Sequence, residues 1–266
     1  MPLQTIETRR LYRQIADQLA GLIGAGEFAP GARLPSEREL AQQLGVSRPS
    51  VREALIALEI AGLVDVRTGS GIYVCSGEKA PGFGLDDIAE PGPFELVAAR
   101  RLIEGENCAL AALAASAADL ERIAETIDMM QSEFQATSRG GEADRLFHLR
   151  LAEATGNSAL VHVMHQLWEL RRGPMYCKFE SHFDTPERHA QAIEEHGRIL
   201  SALHRRDPQA ARAAMHAHLD AVSQAFALAL DDGAPEAPAS GVKPGRRRPA
   251  ARRGAAGPDQ PAKIEH

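Results

Sequence analysis

The sequence predicts a mainly α protein in two parts, an N-terminal winged helix-turn-helix and a C-terminal all-α helical bundle. Three observations predict it. Up to Gly62 the apolar residues recur at helical spacing in three short segments, and the next dozen residues alternate β-branched and polar positions about a glycine turn. From Pro93 to Leu230 almost every stretch is helical in pattern, without strand signals. Two segments rich in Pro and Gly, SGEKAPGFGLDDIAEPGPF at 76–94 and the stretch after Leu230, interrupt the pattern. The expected organisation is a DNA-binding domain over 1–77, a linker over 78–93, a bundle over 94–231 and a disordered basic tail over 232–266.

In order along the chain, Leu11, Ile15, Leu19, Leu22 and Ile23 form the stripe of a first helix ending near Gly24 or Gly26. A short second helix starts at Ser36, which makes a capping box with Glu39, and stops at Gly45, suited to the left-handed position past a helix end. Ser47 caps a third, which tolerates Pro49 in its first turn and carries Val51, Ala54, Leu55 and Leu58 on one face. Leu63 to Val66 and Ile72 to Val74 flank the turn Thr68-Gly69-Ser70-Gly71 as a hairpin. The bundle reads as about six or seven helices broken at Gly140-Gly141, Gly156-Asn157, Gly173-Pro174 and Asp207-Pro208. The tail has Pro, Gly, Ala and Arg but few large apolar residues, too little to offset chain entropy by burial.

Composition excludes several classes. With 266 residues, 44% hydrophobic and 25% charged, the chain is of globular type. It has no apolar run of membrane-spanning length and no N-terminal apolar core of a secretory signal, so a cytoplasmic protein is expected. Cys75, Cys108 and Cys177 are too few and too far apart for a disulfide scaffold or a thiolate zinc site. The net charge of −6 divides into −1 over 1–78, −8 over 79–231 and +3 over 232–266, so DNA binding has to rest on particular arginines.

Those arginines are Arg48 and Arg52, one turn apart in the first half of the third helix and expected to read bases, with Ser47 and Ser50 beside them. Arg38 and the wing residues Arg67, Thr68 and Gly69 are expected at phosphates. The alternative for each arginine is a surface pair with Glu37, Glu53 or Asp65. In the bundle, Asp144 and His148 share one helical face by their i, i+4 spacing, while His196 and His218 lie on two later helices. Three imidazoles and a carboxylate suit zinc, with nickel or manganese as other divalent possibilities, although spacing alone leaves open a plain Asp-His pair with unrelated histidines. His162 and His165 read as packing residues, and His182, His189 and His204 as solvated ones.

The run LPSERELAQQLGVSRPSVREALIALEIAGLVDVRTGSGIYV resembles the winged-helix domain of the GntR superfamily of bacterial transcription regulators. Residues 94–230 resemble the all-helical effector domain of its FadR-like branch, and RRLYRQIADQL, GPFELVAARRLIE and TGNSAL are most similar to the hexuronate-utilisation repressors. The resemblance implies metal ligands at Asp144, His148, His196 and His218, through DRLFH, EEHGRIL and MHAHL, with His216 a near-miss. It also implies a carboxylate effector, often a sugar acid, bound beside the metal by Arg100, Arg171 and Tyr176, with Lys178 at a similar position and Arg101 the alternative to Arg100. The reading is a homodimeric, ligand-responsive repressor on a palindromic operator, with no membrane partner. A metal-dependent hydrolase and a purely structural metal are the competing readings. HExxH, P-loop, GxGxxG, GxSxG and CxxC motifs are all missing from the chain.

Overall fold

The computed structural model describes residues 10–67, 69–75, 85, 90–137 and 141–228. The expected tail over 232–266 and most of the expected linker lie outside the described residues, as does Thr68.

Helix α1 (Leu11–Gly24) packs beneath α3 (Arg48–Ile60), with α2 (Glu37–Leu44) completing the helix-turn-helix. The local signals act as their chemistry requires. Ser36 Oγ accepts from the Glu39 amide while the Glu39 carboxylate accepts from the Ser36 amide, and Gly45 closes α2 at φ 67°. Ser47 Oγ accepts from the Ser50 amide at the start of α3. The stripe of α1 is shifted from the expected one. Tyr12, Ile15, Ala16 and Leu19 are buried, whereas Leu11 and Leu22 are exposed at 48% and 36%. Strands β1 (Val64–Arg67) and β2 (Gly71–Val74) form an antiparallel wing in which Val64 pairs with Val74 and Val66 with Ile72. The chain at 32–34 joins the free edge of β2, since the Leu34 amide donates to Ile72 O and the Val74 amide to Ala32 O.

Seven helices follow: α4 (Pro93–Ala114), α5 (Ala117–Thr137), α6 (Glu142–Glu153), α7 (Ser158–Leu170), α8 (Pro174–Glu180), α9 (Pro186–His204) and α10 (Pro208–Leu228). The long α4 and α10 pack side by side, with α9 along α10 and α5 and α6 closing the other side. Pro174, read as a break, is the first residue of α8, where a missing amide costs nothing because first-turn amides have no intrahelical partner. At Gly105 the helices approach so closely that a Cβ would lie 2.3 Å from the His216 ring.

The back of α3 is covered as well. Residues 51–58 are all buried, because the face turned away from α1 and α2 lies against α8, Phe94 and the end of α10. This corrects the expectation for Arg52. Its side chain does not project beside Arg48 but is 1% exposed, bound to Glu37 and to the Phe226 carbonyl. A helix with one apolar stripe was expected to leave its other face to solvent, and here the bundle takes that face.

Glu53 is the second polar group sealed in this contact, accepting from the Phe94 amide at 3.1 Å. Burial pushes its carboxyl up from 4.5 to about 7. A group whose folded pKa exceeds its unfolded one favours the fold below the unfolded value and loses that advantage as pH rises through the folded one. Glu53→Gln should therefore gain on the wild type by roughly 2 kcal/mol between pH 5 and pH 8 in urea unfolding. A wild-type-minus-variant difference that is flat across that range would contradict the burial of this carboxyl.

Candidate metal and effector site

Inside the bundle, α6, α9 and α10 bring together His148, His196 and His218, all buried, with one ring nitrogen from each within 4.8 Å of the others. Asp144, one turn before His148, places Oδ1 3.5 Å from His148 Nε2 and 3.6 Å from His196 Nε2. Of the four residues that the sequence singled out, the fold brings the three histidines together and sets Asp144 beside His148 and His196. The two Asp144 separations are close to the roughly 3.4 Å between donors of a tetrahedral ion bound at about 2.0–2.1 Å.

The surroundings fit a cation at that point. Both ring nitrogens of His148 and Nε2 of His196 make no hydrogen bond among the described residues, although Nδ1 of His148 lies against the Glu104 carboxylate as a close charge pair. Nδ1 of His148 meets Glu104, and Nδ1 of His218 lies 2.8 Å from Glu195. A carboxylate on Nδ1 keeps the proton there and turns the Nε2 lone pair inward. Burial and the neighbouring His218 hold His196 well below its ordinary value, so it is neutral, as a ligand must be. Burial would raise the Asp144 carboxyl, but its close approach to His148 and the charge of Arg171 hold it well below the usual range. Arg171 Nη1 donates to the second Asp144 oxygen at 3.0 Å.

Next to this centre lies a cavity lined by Arg100, Asp144, Arg171, Tyr176, Arg188 and Phe226, among others. Arg100 is the inward arginine. It donates through Nε to Glu104 at 2.6 Å, while its buried Nη2 has no hydrogen-bond partner among the described residues. Arg101 points outward to Asp220 at 2.7 Å. The guanidinium groups of Arg100 and Arg171 lie 4.8 and 4.0 Å from the Trp168 ring centroid, which fixes their planes. Burial pushes the Tyr176 phenol up, so it stays a neutral donor. Cations, a phenol and aromatic rings in one partly enclosed space suit a small anion with polar substituents.

Other expectations fall outside the cavity. Lys178 points away to Glu59, with Nζ 3.1 Å from the carboxylate. His182 also bonds Glu59, at 2.8 Å, so it is a docking residue and not a solvated one. His162 is exposed, contrary to a packing role, and His216 lies over Gly105, away from the triad. Glu104, Arg188 and Glu195 escaped sequence reading. Glu104 carried one signal, its i, i+4 spacing from Arg100 on an otherwise apolar face.

On the DNA-binding side, Arg38 and Ser47 are exposed, and Arg48 is partly exposed with Glu37 3.8 Å away. Ser50 shares a hydrogen bond with Ser47. Arg67 pairs with Asp65 at 2.7 Å and lies over the Tyr73 ring, beside Gly69 at φ 72°.

Comparison with known proteins decides the kind of molecule. Residues 11–74 match the model of the bacterial regulatory proteins of the gntR family, and residues 95–221 match the FCD domain. The chain belongs to the GntR family. It is 39% identical over 222 residues to the Uxu operon transcriptional regulator of Escherichia coli, covering 81% of this chain and 86% of that one. The Uxu operon regulator of Haemophilus influenzae is 36% identical over 214 residues, with 80% of each chain covered. The Exu regulon transcriptional regulator of Escherichia coli is 38% identical over 222 residues, with 82% and 85% covered. This GntR protein is thus a DNA-binding transcription regulator and not an enzyme. Its helical domain contains a histidine triad able to hold a metal ion, and no described helix is long and apolar enough to cross a membrane.

Proposed function

We propose that this protein is a repressor of sugar-acid, specifically hexuronate, catabolism genes, responding to a carboxylate effector bound beside a divalent metal. The observation that carries the reading is the cavity itself. The unpartnered Arg100 Nη2 and the guanidinium of Arg171 stand next to a centre of one carboxylate and three imidazoles. A sugar acid offers a carboxylate to the arginines and hydroxyls to the remaining polar groups. The similarity to Uxu and Exu regulators supports hexuronates within that class. Zinc suits the ligand set best, held by Asp144, His148, His196 and His218, with nickel and manganese next. Bound there, the ion would supply positive charge to the effector's carboxylate, while Arg171 positions Asp144 for both.

The functional unit is a homodimer on a palindromic operator, because one winged helix buries too little DNA for operator affinity. Leu102, Leu110 and Leu113 of α4, exposed at 67%, 44% and 67%, supply an apolar surface for a second copy. Arg48 and Ser50 lie where bases are read, while Arg38, Ser47, Arg67, Thr68 and Gly69 serve the phosphates and the wing.

Gel-shift titration with a duplex selected by the protein from a random library tests this reading. Galacturonate or glucuronate should shift operator affinity, and Arg100→Ala should abolish that shift while leaving ligand-free affinity intact. Arg48→Ala should cost about 1–3 kcal/mol on the selected duplex and less on random DNA, whereas Arg38→Ala should weaken both alike. No response to either sugar acid would refute the hexuronate assignment, and unchanged affinity of Arg48→Ala would refute the placement of α3.

A further inference from the structure

Besides the Glu53–Phe94 contact, the recognition helix is tied to the effector domain at two further polar points, and both of these lead to the cavity wall. At the first, Arg52 Nη1 donates at 2.6 Å to the carbonyl of Phe226, while Nε and Nη2 hold both oxygens of Glu37 at 2.8 and 2.6 Å. Phe226 stands in the last turn of α10, where helix carbonyls have no intrahelical partner and a cation at the helix end is favoured. Its ring lines the cavity and packs on Phe183 and Phe179, with centroids 4.3 and 5.0 Å apart. One residue therefore touches the effector space with its ring and the recognition helix with its carbonyl. At the second point, Glu59 near the end of α3 meets Lys178 Nζ at 3.1 Å and His182 Nε2 at 2.8 Å. Both belong to α8 or the turn after it, and α8 carries Tyr176 and Glu180 of the cavity wall.

We propose that these contacts form a clasp that withholds Arg52 from DNA, and that a small organic anion in the cavity favours the clasped form and so lowers operator affinity. Arg52 is one helical turn from Arg48, so a guanidinium released from Phe226 would be uncovered near the face that carries Arg48. In the clasped form it is sealed under the bundle. An anion held by Arg171 and packed on the Phe226 ring stabilises α8 and the end of α10 in the places where they grip α3. A ligand shifts such an equilibrium only by its preference for one form, and here that preference comes from contacts with the two elements that make the clasp. The identity of the anion rests on the reading above, but the clasp itself does not.

The test loosens the second point from the effector side, using the full chain with Lys178→Ala and His182→Ala combined, neither residue being assigned to DNA, metal or cavity. Without any ligand, affinity for the selected duplex should rise by about fivefold or more. Galacturonate affinity measured by calorimetry without DNA should fall, because each equilibrium must reflect the coupling reciprocally. Changes of opposite sign separate a clasp from general damage, which would lower both. Glu59→Gln provides a second variant with its packing preserved and should behave alike. Ligand-free operator affinity that is unchanged or reduced in both variants overturns the clasp. If that affinity rises but no hexuronate binds the wild type, the clasp stands and the assignment of the anion fails.

Discussion

Alanine at Glu104 is expected to cost about 3–5 kcal/mol of stability. Glu104 is 2% exposed and faces two buried groups at once, Arg100 through Nε and His148 through Nδ1. Burial alone would raise its carboxyl, but Arg100 and His148 hold it at about 2 instead of 4.5. Removing it leaves the Arg100 charge in a dry interior without its carboxylate and frees His148 to turn. The loss corresponds to a drop of about 6–20 °C in melting temperature for a chain of this size. Chelator-treated protein at pH 7 isolates the pair from any metal. A carboxyl with a depressed folded pKa contributes above the unfolded value and loses that contribution as pH falls through the folded one. The gap between wild type and Glu104→Gln should therefore be constant above about pH 5 and shrink towards pH 2. A cost under about 1 kcal/mol for the alanine variant would mean that the pair is solvated, as surface pairs are.

The same residues show how far local sequence signals reach. The capping box of Ser36 and Glu39, the left-handed Gly45 and the hairpin at 64–74 were legible because each is decided by neighbours within a few positions. Asp144 and His148 were legible as a pair for the same reason, but only family resemblance joined them to His196 and His218, which lie on helices 48 or more residues further on. The burial of Arg52 was not legible because its cover, Phe226, is 174 residues away and contributes a backbone carbonyl, for which no side-chain pattern exists. The stripe of α1 slipped for a related reason. Tyr12 is buried with its hydroxyl donating to Glu90 O, so an aromatic with a polar end took the position that periodicity had given to Leu11. Glu104 and Glu195 were invisible as site residues since charged residues on helices are ordinarily solvated, and only the third dimension shows that their oxygens back the histidine rings. Sequence thus exposes the candidate ligands better than the groups that orient them.

That division gives the metal prediction its controls. Zinc at about a thousand times its dissociation constant should stabilise the wild type by about 4 kcal/mol, because an ion that binds only the folded chain draws the equilibrium towards it. For this chain length the melting temperature should rise by about 8–16 °C, and analysis of dialysed protein should find about one ion per chain. His196→Ala removes a fully buried imidazole, proposed as a ligand, whose Nε2 has no partner among the described residues, so the zinc-dependent rise should disappear. Glu195→Gln leaves all four proposed ligands in place but weakens the acceptor that fixes His218 through Nδ1, and metal affinity should fall by about 10–100-fold. His216→Ala is the complementary control. Two residues before His218 on α10, it packs over Gly105 and points away from the triad, so the zinc-dependent rise should persist in full. These three variants rank ligand, orienting group and bystander by one measurement on the intact chain. An equal rise in the wild type and in His196→Ala would place the ion elsewhere, and loss of the rise in His216→Ala would mean that α10 is rotated relative to the arrangement described.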